Sequence, residues 1–233
     1  AGEYPGAVAD AQFYEAVNSL KNTDALIIDM RLNIGGWAFF DNAFDILFND
    51  FSSTIEDAYR CNTTTFQLCP SGDWNLFKIY GTPPDYYERP IAVLLGPACG
   101  SMGDITAQRL RYHPMVRFFG ASSNASMGDN LSIQNFPGWY LNYSISDMYH
   151  LSKPDEYLNK REFPIDFPVW LTRDGAANGQ DDVVLRSLEW INNLVFPHKI
   201  ITNKSYYSPL EDTVHISTTI ENPNTHQLTA RAY

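Results

Sequence analysis

The spacing of apolar residues changes twice within the first fifty positions. A helical period predicts a helix over residues 9–21, with an apolar face made by Phe13, Ala16, Val17 and Leu20. Residues 25–28 are instead apolar at consecutive positions, which is typical of a strand buried on both faces of a parallel sheet. After the glycine pair at 35–36, the helical period resumes through residue 48. The predicted order is therefore helix, strand, glycine turn, helix.

A similar order returns in the middle of the chain. Residues 89–96, "RPIAVLLG", predict a second fully buried strand, and the turn "ACGSMGD" follows at residues 98–104. A helix-like pattern over residues 105–113 is ended by Pro114, and residues 115–120, "MVRFFG", predict a third strand. Strands that alternate with helices imply right-handed crossovers. We therefore predict an α/β fold whose core is a mostly parallel sheet flanked by helices.

Other segments depart from this alternation. Residues 52–88 are irregular, polar and aromatic, which indicates an insertion, and residues 132–149 indicate an antiparallel excursion. A further strand at 167–172 and an amphipathic helix at 179–194 follow. These segments extend the predicted α/β core towards the C-terminal part of the chain.

The last residues have a different pattern. Residues 213–233 alternate apolar and polar positions around "NPN", which predicts a β-hairpin or a fragment of a β-domain. We therefore divide the chain into an α/β core, residues 1–204, and a β-rich extension, residues 205–233. The opening "AGEYPGAVAD" has neither the basic start nor the apolar stretch of a signal peptide. It predicts a mature, processed or excised chain whose core is incomplete at its N-terminal side.

Composition narrows the possible partners. The chain has 233 residues, 44% of them hydrophobic, so it is long and apolar enough for a sizeable core. Its net charge of −11 argues against a nucleic acid or an anionic membrane as the main partner. No apolar run approaches the roughly 20 residues that span a bilayer, so no membrane span is predicted.

Cysteines and asparagines bear on the compartment. Cys61 and Cys69 bracket a short polar loop, and are either two unrelated thiols or a local disulfide. A disulfide would indicate an oxidising compartment, with Cys99 left unpaired. N-x-[ST] sequons begin at Asn62, Asn124, Asn130, Asn142 and Asn203. Together these features predict a secreted or extracytoplasmic glycoprotein.

The stretch "GPACGSMGDI" places Ser101 at a predicted strand-to-helix turn. A serine there exposes its hydroxyl, while the start of the helix directs backbone N–H groups and a positive dipole end to the same place. The glycine turn at 35–36 supplies another N–H without an intervening Cβ. Two convergent donors form an oxyanion hole. The alternative is structural: Ser101 caps the helix, and Asp104 completes a motif like a capping box.

Four segments resemble the C-terminal processing (tail-specific) protease family, which includes the tricorn core. "DALIIDMRLNIGG" is similar to "LIIDLRxNxGG", and "RPIAVLLGPACGSMGDI" is similar to that family's strand and "SASASEI" nucleophile turn. "RYHPMVRFFGASSNASMG" resembles "RAxVVGxxTFGKG", and "FPVWLTRDGAANGQDDVVLRSLEWI" resembles the family's closing strand and helix. The four matches occur in family order over roughly residues 9–195. The resemblance implies a ClpP/crotonase-like fold.

The resemblance also implies roles for individual residues. Ser101 takes the place of the nucleophile. The oxyanion hole falls on the backbone N–H of Met102 and one from the glycine turn, of which Gly36 is preferred. Asp104 takes the place of the glutamate that follows the nucleophile, with a role that stays open.

One departure from the family concerns the general base. The family lysine of "FGKG" falls on Ser126, and the polar residue four positions later falls on Asn130. A neutral lysine amine accepts the serine proton, whereas a serine hydroxyl does not, so the Ser-Lys mechanism is not supported. The tricorn branch takes a histidine from before the first strand, but the first histidine here is His113.

Three residues of this chain are alternative bases. His113 near the far end of the helix is expected to be structural, His150 lies in the excursion, and Lys153 is a weaker candidate. A further alternative places the base in a missing N-terminal segment or a companion chain.

The leading hypothesis is a secreted serine endopeptidase that cleaves a peptide or protein substrate through a Ser101 acyl-enzyme. The alternative is an inactive pseudoenzyme that binds peptide or serves as a structural or assembly module. A crotonase-like acyl-CoA enzyme is disfavoured because no basic cluster for the CoA phosphates is visible. Neither a metal nor a cofactor is predicted, since zinc, calcium and nucleotide motifs do not occur in the sequence.

Overall fold

The structure is a computed structural model of the chain. It describes the following residues: 5–36, 41–50, 52–62, 64–65, 67–70, 77–153, 156–194, 196–197, 201–202, 216–217 and 220–221. The chain forms two compact units, Ala1–Val183 and Val184–Tyr233. The predicted boundary at residues 204/205 lies outside the described residues and stays a prediction.

The helices, with one 3-10 turn at Asp45–Leu47, are α1 Pro5–Ser19, α2 Asp41–Phe44, α3 Met102–Leu110, α4 Arg173–Ala177 and α5 Asp182–Asn192. The strands of the first unit are β1 Leu26–Asp29, β2 Ser52–Ser53, β3 Ile55–Arg60, β4 Leu68–Pro70, β5 Lys78–Ile79, β6 Ile91–Leu95, β7 Val116–Gly120, β8 Asn130–Phe136, β9 Trp139–Ser144, β10 Ser146–His150 and β11 Phe167–Pro168. The strands of the second unit are β12 Phe196–Pro197, β13 Ile201–Thr202, β14 Ile216–Ser217 and β15 Ile220–Glu221.

The predicted parallel sheet is confirmed. Its four strands have the order β1-β6-β7-β11, and every pairing in it is parallel. Residue Ile91 is opposite Leu26 on one side and Val116 on the other, so the carboxyl ends of β1 and β6 lie at the same edge. The two glycine turns follow these strands, so they lie together at this edge. Sites in α/β sheets form beyond the carboxyl ends of strands, which makes the edge a candidate site.

Burial follows position in this sheet. All five residues of the central strand β6 are buried, as expected for a strand covered on both faces. The first strand is less buried than predicted: Ile27 and Ile28 are half-buried and Asp29 is exposed. The reason is that β1 is an edge strand of the sheet. Leu110 of α3 packs in the same core cluster as Val93 of β6.

The predicted insertion contains short strands rather than irregular chain. Strand β3 pairs with β4 and β10 in an antiparallel sheet, and β2 pairs with β5. The disulfide is confirmed: Cys61 and Cys69 are bonded, with their Cα atoms 5.6 Å apart. The predicted antiparallel excursion also forms, as the β8–β9 hairpin followed by β10.

Among its described residues, the second unit contains most of α5 and four short strands. Strand β12 pairs with β15 and β13 with β14, both antiparallel. The described strands at Ile216–Ser217 and Ile220–Glu221 therefore pair with residues 196–202, not with each other. The rest of the predicted hairpin over residues 213–233 lies outside the described residues.

Candidate active site

Ser101 occupies the turn between β6 and α3. Its backbone has φ 55° and ψ −124°, a conformation that non-glycine residues rarely adopt. The helix begins at the next residue, and the Ser101 side chain makes no capping hydrogen bond. The geometry therefore differs from that of an ordinary serine N-cap, which lies in the extended region and accepts a bond from the helix. Strained turns of this kind occur where a nucleophile is held at the end of a strand.

The loop after β1 lies against this turn. The Asn33 carbonyl accepts a hydrogen bond from the Gly100 N–H at 3.0 Å, and its side-chain oxygen accepts one from the Gly35 N–H at 3.0 Å. A Cβ added at Gly35, where φ is 99°, would lie 2.5 Å from Ser101 Cβ and 3.0 Å from the Met102 nitrogen. Only glycine permits so close an approach, so the structure brings together the two turns that the sequence predicted would be neighbours.

Two backbone donors remain at this contact. Met102 is the first residue of α3, where the N–H has no acceptor within the helix. Gly35 already donates to Asn33, which leaves the exposed Gly36 N–H as the donor of the glycine turn. The arrangement suits an oxyanion hole from Gly36 and Met102, which stays a prediction.

Asp104 has a definite structural position. It is 1% exposed in the first turn of α3, and its two carboxylate oxygens accept hydrogen bonds from the Ser126 N–H at 2.9 Å and the Ala125 N–H at 3.3 Å. The carboxylate thus ties the loop after β7 to the helix that begins at Ser101. These hydrogen bonds suit a residue that positions the loop, and a catalytic role of Asp104 stays a prediction.

Ser126 lies beside the nucleophile turn. Its Oγ is 3.1 Å from the position that a Cβ on Gly100 would take, and its side chain is exposed. The Asn124 N–H also donates to the Cys99 carbonyl at 2.8 Å. The loop therefore holds position 126 next to Ser101, where the resemblance placed the family lysine.

Two histidines considered as bases lie at the other end of α3. Tyr112 comes eleven residues after Ser101, roughly 15 Å along the chain at the rise of a helix. The Tyr112 hydroxyl and His150 Nδ1 are 2.8 Å apart, which places His150 at the end of α3 that is far from Ser101. Lys153 lines the same cavity of about 420 Å³ as His150. His113 is buried against Phe48, and its Nδ1 accepts a hydrogen bond from the Met115 N–H at 3.1 Å.

Burial holds both histidines neutral. Desolvation lowers the pKa of His113 to about 4, against a hydrogen bond to the Leu47 backbone that raises it. Burial also lowers the pKa of His150 to about 4, with the charges of Arg111 and Lys153 adding to the effect. Both neutral imidazole rings pack against aromatic side chains, His113 against Phe48 and His150 against Tyr112. This agrees with the structural role expected for His113.

A pH dependence of stability follows for His113. The pKa of His113 is lower in the folded than in the unfolded chain. The contribution of neutral His113 to the free energy of unfolding is therefore present above about pH 6.5 and is lost as the pH falls towards 4. We expect the free energy of unfolding of His113→Gln to fall less between pH 7 and pH 4.5 than that of the natural chain, by up to about 3 kcal/mol. Urea unfolding at both pH values measures this difference. Equal losses in the two proteins would contradict it.

Two further residues at this site were not singled out from the sequence. Asn33 organises both turns through its backbone and side-chain oxygens, but asparagine in a glycine-rich loop reads as an ordinary turn residue. Lys160 has φ 59° and donates its N–H to the Ala125 carbonyl at 2.8 Å, which brings an exposed lysine to the loop of Ser126. It is 34 residues further along the chain, and no local pattern marks it.

The remaining thiol and possible metal sites add little chemistry. Burial, with the Asp104 charge adding to it, raises the pKa of the Cys99 thiol to about 12, so this cysteine is not a competing nucleophile. Within the described ranges, histidine, cysteine and acidic side chains form no cluster that could hold a metal ion. No helix in the described part of the chain is long and apolar enough to cross a membrane.

A serine at a strained strand-to-helix turn, beside a glycine turn at the carboxyl edge of a parallel sheet, is an arrangement that can present a reactive hydroxyl next to backbone N–H donors. Residues 4–165 match the model of peptidase family S41. The chain belongs to this family, and the resemblance seen in the sequence is confirmed. No curated protein has a significant sequence match to the chain.

Solved structures share the fold at low identity. A putative peptidase from Parabacteroides merdae is 18% identical with a TM-score of 0.67, covering 78% of this chain and 56% of its own. Mature CPAF complexed with lactacystin is 14% identical with a TM-score of 0.61, covering 82% and 46%. A putative S41 protease from Bacteroides fragilis is 8% identical with a TM-score of 0.56, covering 82% and 51%. This chain thus spans about half the length of these structures.

Proposed function

We propose that this chain is the nucleophile-bearing core of a secreted serine endopeptidase. The observation that carries the proposal is the strained Ser101, whose side chain makes no cap and whose turn is in contact with Gly35. Membership of peptidase family S41 supports a peptide bond as the target. The substrate is a peptide or a protein.

The reaction follows the geometry of the two turns. The Ser101 oxygen attacks the carbonyl carbon of the peptide, and its proton passes to a general base. The carbonyl oxygen becomes an oxyanion that accepts hydrogen bonds from the Met102 and Gly36 N–H groups, each worth about 3 kcal/mol of barrier. The carbon–nitrogen bond then breaks, the amine leaves with the proton, and water hydrolyses the acyl-enzyme. The general base is not assigned to a residue, and its candidate sources are another segment, a companion chain and the exposed Lys160.

Two exposed side chains favour apolar peptide segments. Leu32 and Ile34 are 84% and 79% exposed and flank Asn33, which hydrogen-bonds both turns. Large apolar side chains this exposed beside a reactive group suit contact with a ligand. They would cover apolar residues of the substrate close to the bond that is cleaved.

An oxidising compartment suits the same chain. The Cys61–Cys69 disulfide favours a secreted or extracytoplasmic protein, since disulfides persist in such environments. Asn124, Asn130 and Asn142 are sequon asparagines on the exposed surface, which suits N-glycosylation.

A second function is favoured by one observation. Ser126 stands beside the nucleophile turn where the family resemblance places a lysine. A hydroxyl cannot take the Ser101 proton, so the same cleft would bind peptide without cleaving it. In that case the protein is a pseudoenzyme that serves as a peptide-binding or assembly module.

Covalent labelling separates the two functions. The chain, alone and with its natural flanking segments or partner, is treated with a fluorophosphonate, and the modified residue is located by peptide mass spectrometry. We expect the adduct on Ser101, because its side chain makes no capping hydrogen bond and the proposed Gly36 and Met102 donors lie at the same turn. An adduct elsewhere, or none in the complete protein, would contradict the peptidase and favour the pseudoenzyme.

A further inference from the structure

The β8–β9 hairpin stands apart from both larger sheets. Its two strands form a two-stranded sheet of their own, and neither pairs with another strand among the residues the structure describes. It is attached at its base, where the Ile145 N–H donates to the Asp129 carbonyl and the Asp129 N–H donates to Ser146 Oγ. A hairpin of this kind is marginal in water unless one of its faces is covered.

One face of the hairpin is apolar and open. Cross-strand pairs join Leu131 to Tyr143 and Ile133 to Leu141, and Trp139 lies on the same side by alternation. These five side chains, which we call the apolar face, are between 40% and 75% exposed. At roughly 150–250 Å² for a large side chain, they present on the order of 500 Å² of apolar surface. Patches of this size mark interaction sites.

The opposite face is polar and carries two sequons. Asn130 pairs with Ser144 and Ser132 pairs with Asn142, so both sequon asparagines point away from the apolar face. Any glycan attached to them would cover the polar face and leave the apolar face free. The two faces therefore differ in what they can contact.

Charge favours a copy of the same chain as the partner. The chain has a net charge of −11, so two copies carry like net charges that repel one another. Residues 130–144 contain no charged side chain at all, which makes the hairpin a place where two acidic copies can meet without like charges in contact. A partner chosen for its charge would find no complementary group there.

The size and layout of the face also suit a two-fold dimer. A standard interface buries about 800 Å² per partner, of which about 57% is non-polar, close to the apolar area of this face. Leu131 and Ile133 of β8 lie in one row of the face, while β9 contributes Trp139, Leu141 and Tyr143. A two-fold axis lays the β8 row of each copy against the β9 side chains of the other, so that the same patch is used on both copies, as in an isologous interface.

We propose that two copies of this chain associate through the apolar faces of their β8–β9 hairpins, packed sheet against sheet. The hairpin follows, in sequence, the loop that holds Ser126 beside Gly100. The association does not depend on whether Ser101 is a nucleophile.

Sedimentation of the full chain tests the proposal. We expect a dimer at micromolar concentrations. For the double variant Trp139→Ser/Leu141→Ser we expect weaker association, with a dissociation constant at least 100-fold higher. The matched control is Tyr140→Ser, which removes an exposed aromatic side chain from the polar face of the same strand and is expected to leave the dimer intact. Circular dichroism checks that both variants keep the fold, and the dimer of the natural chain is expected to persist in high salt because no ion pair holds it.

Three results would overturn the proposal. One is a natural chain that stays monomeric up to about 100 µM. Another is a dimer that survives in the double variant, or that Tyr140→Ser disrupts instead. The third is a monomer that binds phosphatidylcholine vesicles through Trp139 and Leu141, which would assign the apolar face to a lipid surface.

Discussion

A lysine at position 126 is expected to raise the rate of Ser101 acylation by about 10²–10⁴-fold, the range of general-base catalysis. Position 126 lies against the nucleophile turn, with Ser126 Oγ 3.1 Å from the Cβ position of Gly100. Ser126→Lys would place an amine on the Ser101 side of this loop. The rate of fluorophosphonate labelling measures the gain, which is expected to increase with pH as the amine loses its proton.

The matched control for this variant is Ser126→Met, which has similar length and no amine. The fold should tolerate both changes, because the Ser126 side chain is exposed and the loop is bound to Asp104 by backbone N–H groups. Lys160→Met tests whether the exposed lysine near Ala125 already supplies the base. A Ser126→Lys rate no higher than that of Ser126→Met would show that the loop does not present its side chain to Ser101.

Ser101→Ala is expected to abolish labelling, both in the natural chain and in the Ser126→Lys background. The alanine retains the Cβ and the strained backbone but lacks the attacking oxygen, so the rate should fall by at least about 10³-fold. Peptide hydrolysis should be lost to the same extent, while the midpoint of urea unfolding changes little. The comparison is with Ser126→Ala, which removes a hydroxyl from the neighbouring loop and not from the nucleophile turn.

Residual labelling of the Ser101→Ala variant at the natural rate would mean that another residue reacts. Cys99 is the nearest thiol in sequence, but its burial and raised pKa argue against it. Peptide mapping of any remaining adduct identifies the residue directly.

Continuous apolar runs made the sheet predictable from sequence. Ile91–Leu95 is apolar at every position, so it could only be a strand covered on both faces or a segment of a buried helix, and its length favours a strand. Val116–Gly120 is apolar except at the exposed Arg117. The turn chemistry was equally local. Gly35 and Gly100 mark the ends of their strands, and neighbouring parallel strands end at one edge.

Elements held by distant contacts were less predictable. The exposure of β1 depends on its place at the sheet edge. Strand order results from pairing between distant segments, so no single segment of the sequence predicts it. The strands of the insertion are two to six residues long and are fixed by pairing, such as that of β3 with β10. At the site, Asp104 hydrogen-bonds to a loop more than twenty residues away, and Lys160 reaches that loop from further still.

The bond between Asp104 and the loop has a consequence for how such a protein can evolve. Asp104 recognises the main chain of residues 125 and 126, which every residue except proline can offer, and it makes no use of the Ser126 side chain. The identity of residue 126 can therefore drift without loosening the cleft. A lineage could give up proteolysis and keep a folded peptide-binding groove, and a single codon change could later restore the amine. At this position the hydrogen bonds that hold the loop are separate from the side chain that would supply a base.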